Sequence, residues 1–259
     1  MASSITEVNK DFYNKAYSNR FSIFVLLHSF ISYDQQSKSK RNYKVISNLI
    51  EEIRKVKTKI TFLDYGFGHG SLILKIPSDI EIFGCDIAEE AGHKFNRISE
   101  LLKRKITVST VEDLDSVSHG IKFDTITCSH VIEHVENDIV FLKELKALLN
   151  KNGTLIINLP INEVWDDPKH ARKYTKESVI ELVSKMGLVI KKVIEADKLT
   201  GFLLYYEQKH SFRKLFKLLF RCLRLLFAIF PQSISEVIEK MLPSKFLNQQ
   251  LIVVASKDE

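Results

Sequence analysis

Three glycines at alternate positions follow a short apolar segment that ends in an acid. Residues 62–70 read Phe-Leu-Asp-Tyr-Gly-Phe-Gly-His-Gly, with Asp64 as the acid and Gly66, Gly68 and Gly70 as the glycines. Glycine has no Cβ, so this backbone can turn sharply and lie against a bound molecule. The next apolar segment ends in Asp86, roughly 20 residues later, which is the separation at which an acid reaches a nucleoside ribose. The spacing predicts a nucleoside ligand.

A second group of reactive side chains follows a later apolar segment, in the run Ser-His-Val-Ile-Glu-His that begins at Ser129. His130, Glu133 and His134 are spaced i, i+3 and i+4, so they share one face if this stretch begins a helix. Histidine titrates near neutral pH, which suits His130 to removing a proton from a hydroxyl. Two alternatives remain. The three side chains could hold a divalent metal, for which histidine ligands favour zinc, iron or manganese over magnesium, or they could have a structural role only. We favour the interpretations without a metal.

The elements that would position these groups alternate between strand and helix periods, which predicts an α/β protein with a mainly parallel sheet and helices on both faces. The predicted strands are 60–64, 80–85, 106–109, 123–128, the residues after 153, 188–194 and 251–255. Four helices are predicted in this core. The first begins near Gly68, the second runs from the end of the second strand to 103, and the other two span 137–150 and 174–186. Thr175 is the expected N-cap of the last of these helices, and Gly187 is expected to close it.

The composition fits one globular core with room for additions. The chain has 259 residues, of which 45% are hydrophobic and 27% charged. Three widely spaced cysteines form neither a disulfide framework nor a zinc pattern, so a reducing cytoplasm is expected. Glu7 and Asp11 interrupt the start of the chain, so no signal peptide is expected. The longest uncharged apolar stretch, 21–33, is too short to span a bilayer.

The net charge of +6 is concentrated in one segment. Within 212–230 the five basic side chains occupy about a quarter of a helical wheel, and leucine, phenylalanine, isoleucine and cysteine fill the rest. A narrow basic stripe beside a broad apolar face is typical of a helix in an anionic membrane interface. The alternative is a lid or a homodimer contact. Nucleic acid is a less favoured partner, because the stripe is thin and lacks exposed stacking aromatics.

Asp64-x-Gly-x-Gly-x-Gly resembles the first motif of class I S-adenosylmethionine-dependent methyltransferases, and Asp86 matches their ribose-binding acid. Residues 123–135 are similar to the fourth strand and following loop of that family, and 148–160 to its fifth strand. The resemblance covers about residues 40–200 and the end of the chain. It implies a Rossmann-like, doubly wound sheet of seven strands with an antiparallel last strand. A dinucleotide dehydrogenase would instead have glycine at Ser71.

The resemblance also implies the contacts of the cofactor. Asp64 would attract the methionine ammonium group, the glycine turn would accommodate the methionine moiety, and Asp86 would accept hydrogen bonds from both ribose hydroxyls. Ile87 would pack on the adenine. Thr110 replaces the acid that in the family commonly binds the adenine amine, so the backbone of Val111 is the expected contact there.

The site of methyl transfer would lie at the end of the fourth strand, beside Ser129. Small-RNA 2′-O-methyltransferases and ubiquinone-pathway O-methyltransferases have Glu-x-x-Glu-His at this place, where this chain has His130 in place of the first glutamate. His170 resembles the fourth metal ligand of the RNA enzymes. A general base at His130 or His170 is therefore one expectation, and a metal held by His130, Glu133, His134 and His170 is the less favoured one.

The expected organisation is an N-terminal helical lid (1–40), a core that binds S-adenosylmethionine (41–197 and 248–259) and a basic amphipathic insertion (198–247). The expected function is methylation, directed to oxygen, of a lipidic, lipid-linked or otherwise apolar small molecule. The expected location is the cytoplasm, including the inner surface of the membrane. The alternatives are methylation of a soluble sugar or natural-product hydroxyl, with the insertion as lid or dimer contact, and a non-catalytic methyltransferase-like subunit.

Overall fold

The computed structural model describes residues 5–18, 33–163, 166–202, 219, 222 and 232–257. The helices are α1 (Ile5–Ser18), α2 (Tyr33–Arg54), α3 (Glu89–Leu101), α4 (Leu114–Ser118), α5 (Asp138–Leu148), α6 (Lys176–Lys185) and α7 (Gln232–Met241). The strands are β1 (Thr61–Tyr65), β2 (Glu81–Asp86), β3 (Ile106–Thr110), β4 (Phe123–Ser129), β5 (Leu149–Pro160), β6 (Val189–Ala196) and β7 (Gln250–Ser256). Short 3₁₀ helices lie at Ile73–Lys75 and Ile132–His134.

The seven strands form one sheet in the order β3-β2-β1-β4-β5-β7-β6. Strands β1 to β5 pair in parallel, whereas β7 is antiparallel to both β5 and β6. The predicted Rossmann-like sheet with an antiparallel last strand is confirmed. Because the strand order reverses between β1 and β4, their carboxyl ends open a crevice at that point, where open α/β sheets bind ligands.

Helices cover both faces of the sheet because its central strands are buried on both sides. In β1, Phe62 and Leu63 are both fully buried but belong to different apolar clusters, one on each face. The same alternation separates Ile156 from Leu155 and Ile157 in β5. Side chains of successive strand residues point to opposite faces, so such continuous apolar runs need a packed layer on each side.

The helix predicted to begin near Gly68 is wrong. After β1 the chain forms only the 3₁₀ helix Ile73–Lys75, which has no side-chain cap at its N-terminus. Pro77 ends this short helix, because proline holds the preceding Ile76 in an extended conformation. The remaining predicted strands and helices are present, with ends displaced by a few residues.

The predicted ends of α6 are confirmed. The Thr175 side chain accepts a hydrogen bond from the backbone N–H of Ser178, whose own side chain returns a bond to the cap, and Gly187 has φ +63° after the helix. At the N-terminal side of the chain, α2 continues through residue 40, where the lid was expected to end. Residues 212–230, apart from 219 and 222, lie outside the described residues. Within the described ranges no helix is both long and apolar enough to cross a membrane.

Gly70 provides a stability test of the turn after β1. Its φ is +72°, and a Cβ there would lie 2.2 Å from Cε2 of Phe95, on α3. We expect Gly70→Ala to lower the free energy of unfolding by at least about 1 kcal/mol, because a left-handed alanine is strained and the ring must move. Thermal and denaturant unfolding measure the change.

The matched control is Gly92→Ala, within α3, where an added Cβ meets nothing within 4 Å. Alanine is the better helix former, so this variant should gain up to about 1 kcal/mol. Equal unfolding midpoints for the two variants would contradict the role of Gly70 in packing.

Candidate active site

A cavity of about 490 Å³ opens where the carboxyl ends of β1, β2 and β4 meet beneath α1. Predicted and unpredicted residues line it together. The lining residues are Thr6, Asn9, Tyr13, Tyr17, Tyr65, Gly66, Asp86, Ile87, Val111, Glu112, Ser129, His130, Val131, His134, Val135 and Phe141. The structure therefore brings the first glycine of the turn, the predicted ribose acid and the end of β4 around one space.

The first two glycines of the turn combine a left-handed backbone with a close neighbour at the position of a Cβ. Gly66 has φ +79°, and a Cβ there would lie 2.3 Å from Cγ2 of Val131. Gly68 has φ +53°, and its Cβ would lie 3.0 Å from the Tyr17 hydroxyl. These two glycines let the backbone pass between the β4 loop and α1. Gly70, predicted as a cofactor contact, packs against Phe95 instead and does not line the cavity.

Asp86 is the carboxylate that faces the cavity. Its Oδ2 accepts a hydrogen bond of 2.9 Å from the Gly68 N–H, and its Oδ1 accepts one of 2.9 Å from the Ala88 N–H. Burial raises the pKa of Asp86, and these backbone donors oppose the rise. The backbone of Ile87 also lowers the pKa of Asp86 through a hydrogen bond. A carboxylate has about four acceptor positions, so acceptor capacity is left for a ligand hydroxyl.

Asp64 lies deeper than the prediction requires. It is 2% exposed, its Oδ1 accepts a 2.8 Å hydrogen bond from the Thr127 hydroxyl, and it is not among the lining residues. Burial raises the pKa of Asp64 to about 7, against the effect of Thr127. Its neutral and ionised forms are therefore balanced near neutral pH, and a nearby cation would favour the ionised form.

The adenine end of the predicted site is only partly assembled. Ile87 and Val111 line the cavity as expected. The Val111 N–H, however, donates to the Asp86 carbonyl over 3.1 Å, so the backbone donor expected for adenine already has a partner. The Thr110 hydroxyl is 2.6 Å from Oδ2 of Asp113, outside the cavity. Glu112, which sequence reasoning did not select, lines the cavity instead.

Two tyrosines of α1 cover the cavity and were not predicted individually. The rings of Tyr13 and Tyr17 are stacked with centroids 6.1 Å apart, and Tyr17 meets the His69 ring edge-on at 4.9 Å. Burial raises the pKa of Tyr13 to about 12 and that of Tyr17 further, so both hydroxyls are protonated donors. Their i, i+4 spacing was the signal available in the sequence, because it places both rings on one helix face.

His130 stands at the end of β4 with a left-handed backbone, φ +57°. Its Nδ1 is 3.2 Å from Oε1 of Glu133, which is only 1% exposed. Burial opposes ionisation of Glu133, but the hydrogen bond and charge of His130, together with His134, lower its pKa overall. An ionised carboxylate therefore faces one ring nitrogen of a histidine that lines the cavity.

His134 does not share that contact, because the stretch forms a 3₁₀ helix over Ile132–His134 rather than the start of an α-helix. The Nε2 of His134 is 3.3 Å from the Tyr13 hydroxyl and its Nδ1 is 3.0 Å from the Lys169 carbonyl. Its ring lies 4.8 Å from that of His170. The Nδ1 of His170 is 3.1 Å from Glu163, and His170 does not line the cavity.

Glu133, His134 and His170 each have one potential ligand atom within 4.8 Å of the others. His130 is not part of this group. Both nitrogens of His134 and the Nδ1 of His170 already have protein partners, so the arrangement is explained as a hydrogen-bonded network. The predicted alternative of a metal held by these residues stays a prediction.

A second cavity of about 460 Å³ lies between α2, β6 and α7. Oppositely charged side chains face each other across it, with Arg41 2.6 Å from Glu239 and Lys44 3.2 Å from Glu236. None of the predicted site residues lines it. The chemistry of the chain is therefore concentrated in the first cavity.

A family model described as a methyltransferase domain matches residues 37–217, which include every strand from β1 to β6. The chain belongs to this family. It is a class I S-adenosylmethionine-dependent methyltransferase.

Solved structures share the fold of this methyltransferase. The magnesium protoporphyrin IX methyltransferase from Synechocystis PCC 6803, with bound S-adenosylhomocysteine, is 16% identical with a TM-score of 0.59, over 97% of this chain and 99% of that one. A putative sarcosine dimethylglycine methyltransferase from Galdieria sulphuraria is 14% identical with a TM-score of 0.55, over 84% and 86% of the two chains. At these identities the likeness shows the fold alone.

Curated relatives include the tRNA U34 carboxymethyltransferase of Campylobacter jejuni, strain RM1221, which is 34% identical over 97 residues. The same enzyme from Campylobacter lari is 32% identical over 129 residues. The match with the first covers 37% of this chain and 33% of the relative, so it spans about a third of that protein.

The cavity residues fit S-adenosylmethionine, the cofactor of this family. Asp86 has acceptor capacity left for a ribose hydroxyl, Gly66 brings bare backbone to the cavity wall, and Ile87 and Val111 offer apolar surface for adenine. The cofactor supplies a methyl group already activated by a sulfonium. The protein needs chiefly to orient it towards an acceptor and to exclude water.

Asp86→Asn tests the ribose contact. Asparagine keeps the size of the side chain but loses the charge, and its amide NH₂ would face one of the two backbone N–H donors. We expect the dissociation constant for S-adenosylhomocysteine to rise about 10- to 100-fold, since hydrogen bonds to a charged group contribute about 1.5–3 kcal/mol. Isothermal calorimetry measures it, with Asp115→Asn on the exposed surface as control. Unchanged affinity in Asp86→Asn would remove Asp86 from the ribose site.

Asp64 provides a test by proton release. With a pKa of about 7, it is largely protonated at about pH 6. If the cofactor ammonium group lies beside it, binding favours the ionised form, so up to about one proton leaves per cofactor bound. Calorimetry in two buffers of different ionisation enthalpy measures that release.

Asp64→Asn should reduce the release, whereas Asp115→Asn should not. Any release that remains in Asp64→Asn would come from Asp86, whose pKa burial also raises. The expected ammonium contact is wrong if wild type and Asp64→Asn release equal numbers of protons.

Proposed function

We propose that this enzyme methylates a hydroxyl group of an apolar small molecule, with His130 as the general base. The observation that carries the proposal is the pairing of His130 with the buried Glu133 at the wall of the cavity. His170, the other expected base, is held by Glu163 outside the lining. In the transfer, the hydroxyl oxygen attacks the methyl carbon, the C–S electron pair stays on sulfur, and the hydroxyl proton passes to Nε2 of His130.

Glu133 supports this role of His130. A carboxylate that accepts a hydrogen bond from Nδ1–H leaves the lone pair on Nε2 and stabilises the imidazolium that forms. Most of the rate would come from in-line orientation of the acceptor against the sulfonium. Proton removal by a positioned base typically contributes a further 10²- to 10⁴-fold.

The lining of the cavity supports an acceptor without phosphate groups. Tyr13, Val131, Val135 and Phe141 provide aromatic and aliphatic walls, and no lysine or arginine is among the lining residues in the described ranges. Polar groups in the lining are the uncharged side chains of residues such as Asn9 and Ser129, the histidines, and the acids Asp86 and Glu112. Such a wall suits a hydroxyl on an aromatic or lipidic body.

Contact with a membrane is the more specific part of the proposal and rests on the sequence of 212–230. The basic stripe there would meet anionic head groups while its broad apolar face enters the interface. An acceptor dissolved in the membrane could then reach the cavity without crossing water. The alternative acceptor, a soluble sugar or natural-product hydroxyl, would leave this segment as a lid or dimer contact.

A tRNA nucleoside is a second candidate acceptor. The named activity of the Campylobacter relatives favours it, but the matches cover only 33% and 42% of those two proteins. Proteins bind a phosphate backbone mainly through lysine and arginine. Neither residue is among the described lining residues of the cavity.

A screen with methyl-labelled S-adenosylmethionine separates these acceptors. Its arms are phenolic and quinol-like lipids in anionic vesicles, soluble phenols and sugars, and bulk tRNA, each assayed for labelled product. We expect label in the vesicle arm. His130→Asn should then lower kcat about 100-fold or more, while His170→Asn keeps most of the activity.

The triple variant Arg213→Glu/Arg221→Glu/Arg224→Glu tests contact with the membrane. It should lose turnover with vesicles but keep it when the same acceptor is presented in neutral detergent. Label only in tRNA would replace the proposal by the second candidate. Equal turnover by wild type and His130→Asn would show that His130 is not the base.

A further inference from the structure

Gln250 is a polar side chain at the start of a strand whose other members are almost entirely apolar. Strand β7 reads Gln-Leu-Ile-Val-Val-Ala-Ser and every residue in it is buried. Gln250 is 1% exposed and pairs with Pro160 on one side and Ala196 on the other. Burying an amide without compensation costs about 1–3 kcal/mol in proteins, so its contacts call for an explanation.

The Nε2 of Gln250 lies 3.3 Å from Nε2 of His130. In this orientation of the amide the Gln250 nitrogen donates, so the Nε2 of His130 accepts and carries the lone pair. The ring proton is then on Nδ1, where the Glu133 carboxylate accepts it at 3.2 Å. The two contacts select the same tautomer, the one that a base acting through Nε2 requires.

The second polar atom of Gln250 suits the protonated ring. No hydrogen-bond partner for Gln250 Oε1 lies among the described residues. Once Nε2 of His130 has gained a proton it becomes a donor, and a half-turn of the amide would bring Oε1 to accept it. Neither a carboxylate, which only accepts, nor an apolar side chain can serve both states of the ring.

The described elements that meet near His130 carry both amide and titratable side chains. The backbone N–H of His130 donates to the Asn158 carbonyl over 2.7 Å, which fixes the left-handed residue at the sheet edge. Amide side chains lie on β5, β7 and α2. Titratable groups lie on the segment that contains His130, on α1, at the end of β2 and in the loop after β3. The amides are Asn158, Gln250 and Asn42. The titratable groups are Glu133, His134, Tyr13, Asp86 and Glu112.

We propose that Gln250 is a positioning residue for His130. While the ring is neutral, the Gln250 amide donates to Nε2 and so keeps the ring proton on Nδ1. The acceptor hydroxyl then replaces the amide at Nε2. After the transfer, the amide turns so that its oxygen accepts a hydrogen bond from Nε2–H. The inference rests on the proposed function of His130 as the base. It adds a residue from β7, far along the chain from the glycine turn and the histidine cluster.

Nitrogen NMR of the full chain tests the hydrogen-bond assignment without an acceptor. The protein is labelled with ¹⁵N-histidine, and the His130 signals are those absent from His130→Asn. In wild type at about pH 8 we expect a protonated Nδ1 and an unprotonated Nε2. Gln250→Met, nearly isosteric and unable to donate, should shift the signals towards a mixture of tautomers. Gln250→Glu should show both nitrogens protonated at the same pH.

Circular dichroism and binding of S-adenosylhomocysteine confirm that each variant folds. The matched control is Gln249→Met, next to Gln250 but only half-buried. With the acceptor from the screen, Gln250→Met should lower kcat roughly 10- to 100-fold with little change in KM. Identical His130 signals in wild type, Gln250→Met and Gln250→Glu would overturn the inference and leave methyl transfer intact. Full turnover in His130→Asn would overturn the proposed function instead, and the catalytic role of Gln250 with it.

Discussion

The hydrogen bond between the Gly68 N–H and Asp86 is the constraint on which the site depends. It joins the turn after β1 to the end of β2, and it holds only because glycines let the chain pass between Val131 and Tyr17. The carboxylate is thereby fixed at the crevice by the Gly68 and Ala88 N–H groups. A preformed anion of this kind binds a sugar without first reorganising.

The other half of the cavity depends on groups that are distant in sequence. Helix α1 contributes Tyr13 to the His134 network, and Asn9 donates to the Lys169 carbonyl over 3.2 Å. The loop before α6 is tied back where the Ala171 N–H donates to the Glu133 carbonyl over 2.7 Å. The wall around His134 is therefore assembled from α1 and the loop before α6 as well as the end of β4, whereas Gly66 directly follows β1 and Asp86 ends β2.

This difference explains how much could be predicted from the sequence. The fold, Asp86 and Gly66 followed from local spacing, because a strand and the turn after it are adjacent along the chain. The helix predicted to begin near Gly68 is replaced by a short 3₁₀ helix, because the restriction imposed by Pro77 outweighed the expected pattern. Gly70 and Asp64 were assigned to the cofactor by motif, but their surroundings, Phe95 and Thr127, lie on other elements. The i, i+4 spacing of Tyr13 and Tyr17 was available in the sequence, but it did not show which surface that helix face covers. Gln250 could not be found from spacing, since tertiary packing alone brings its side chain to His130.

The antiparallel course of β7 has a consequence for how such an enzyme can diversify. Ala196 at the end of β6 and Gln250 at the start of β7 are register partners, so both ends of the intervening chain emerge at the catalytic rim of the sheet. Residues inserted in this connection would therefore begin and end at that rim, and the pairing of the strands would not change. Lengthening or exchanging that one connection would give new substrate selectivity on an unaltered cofactor platform.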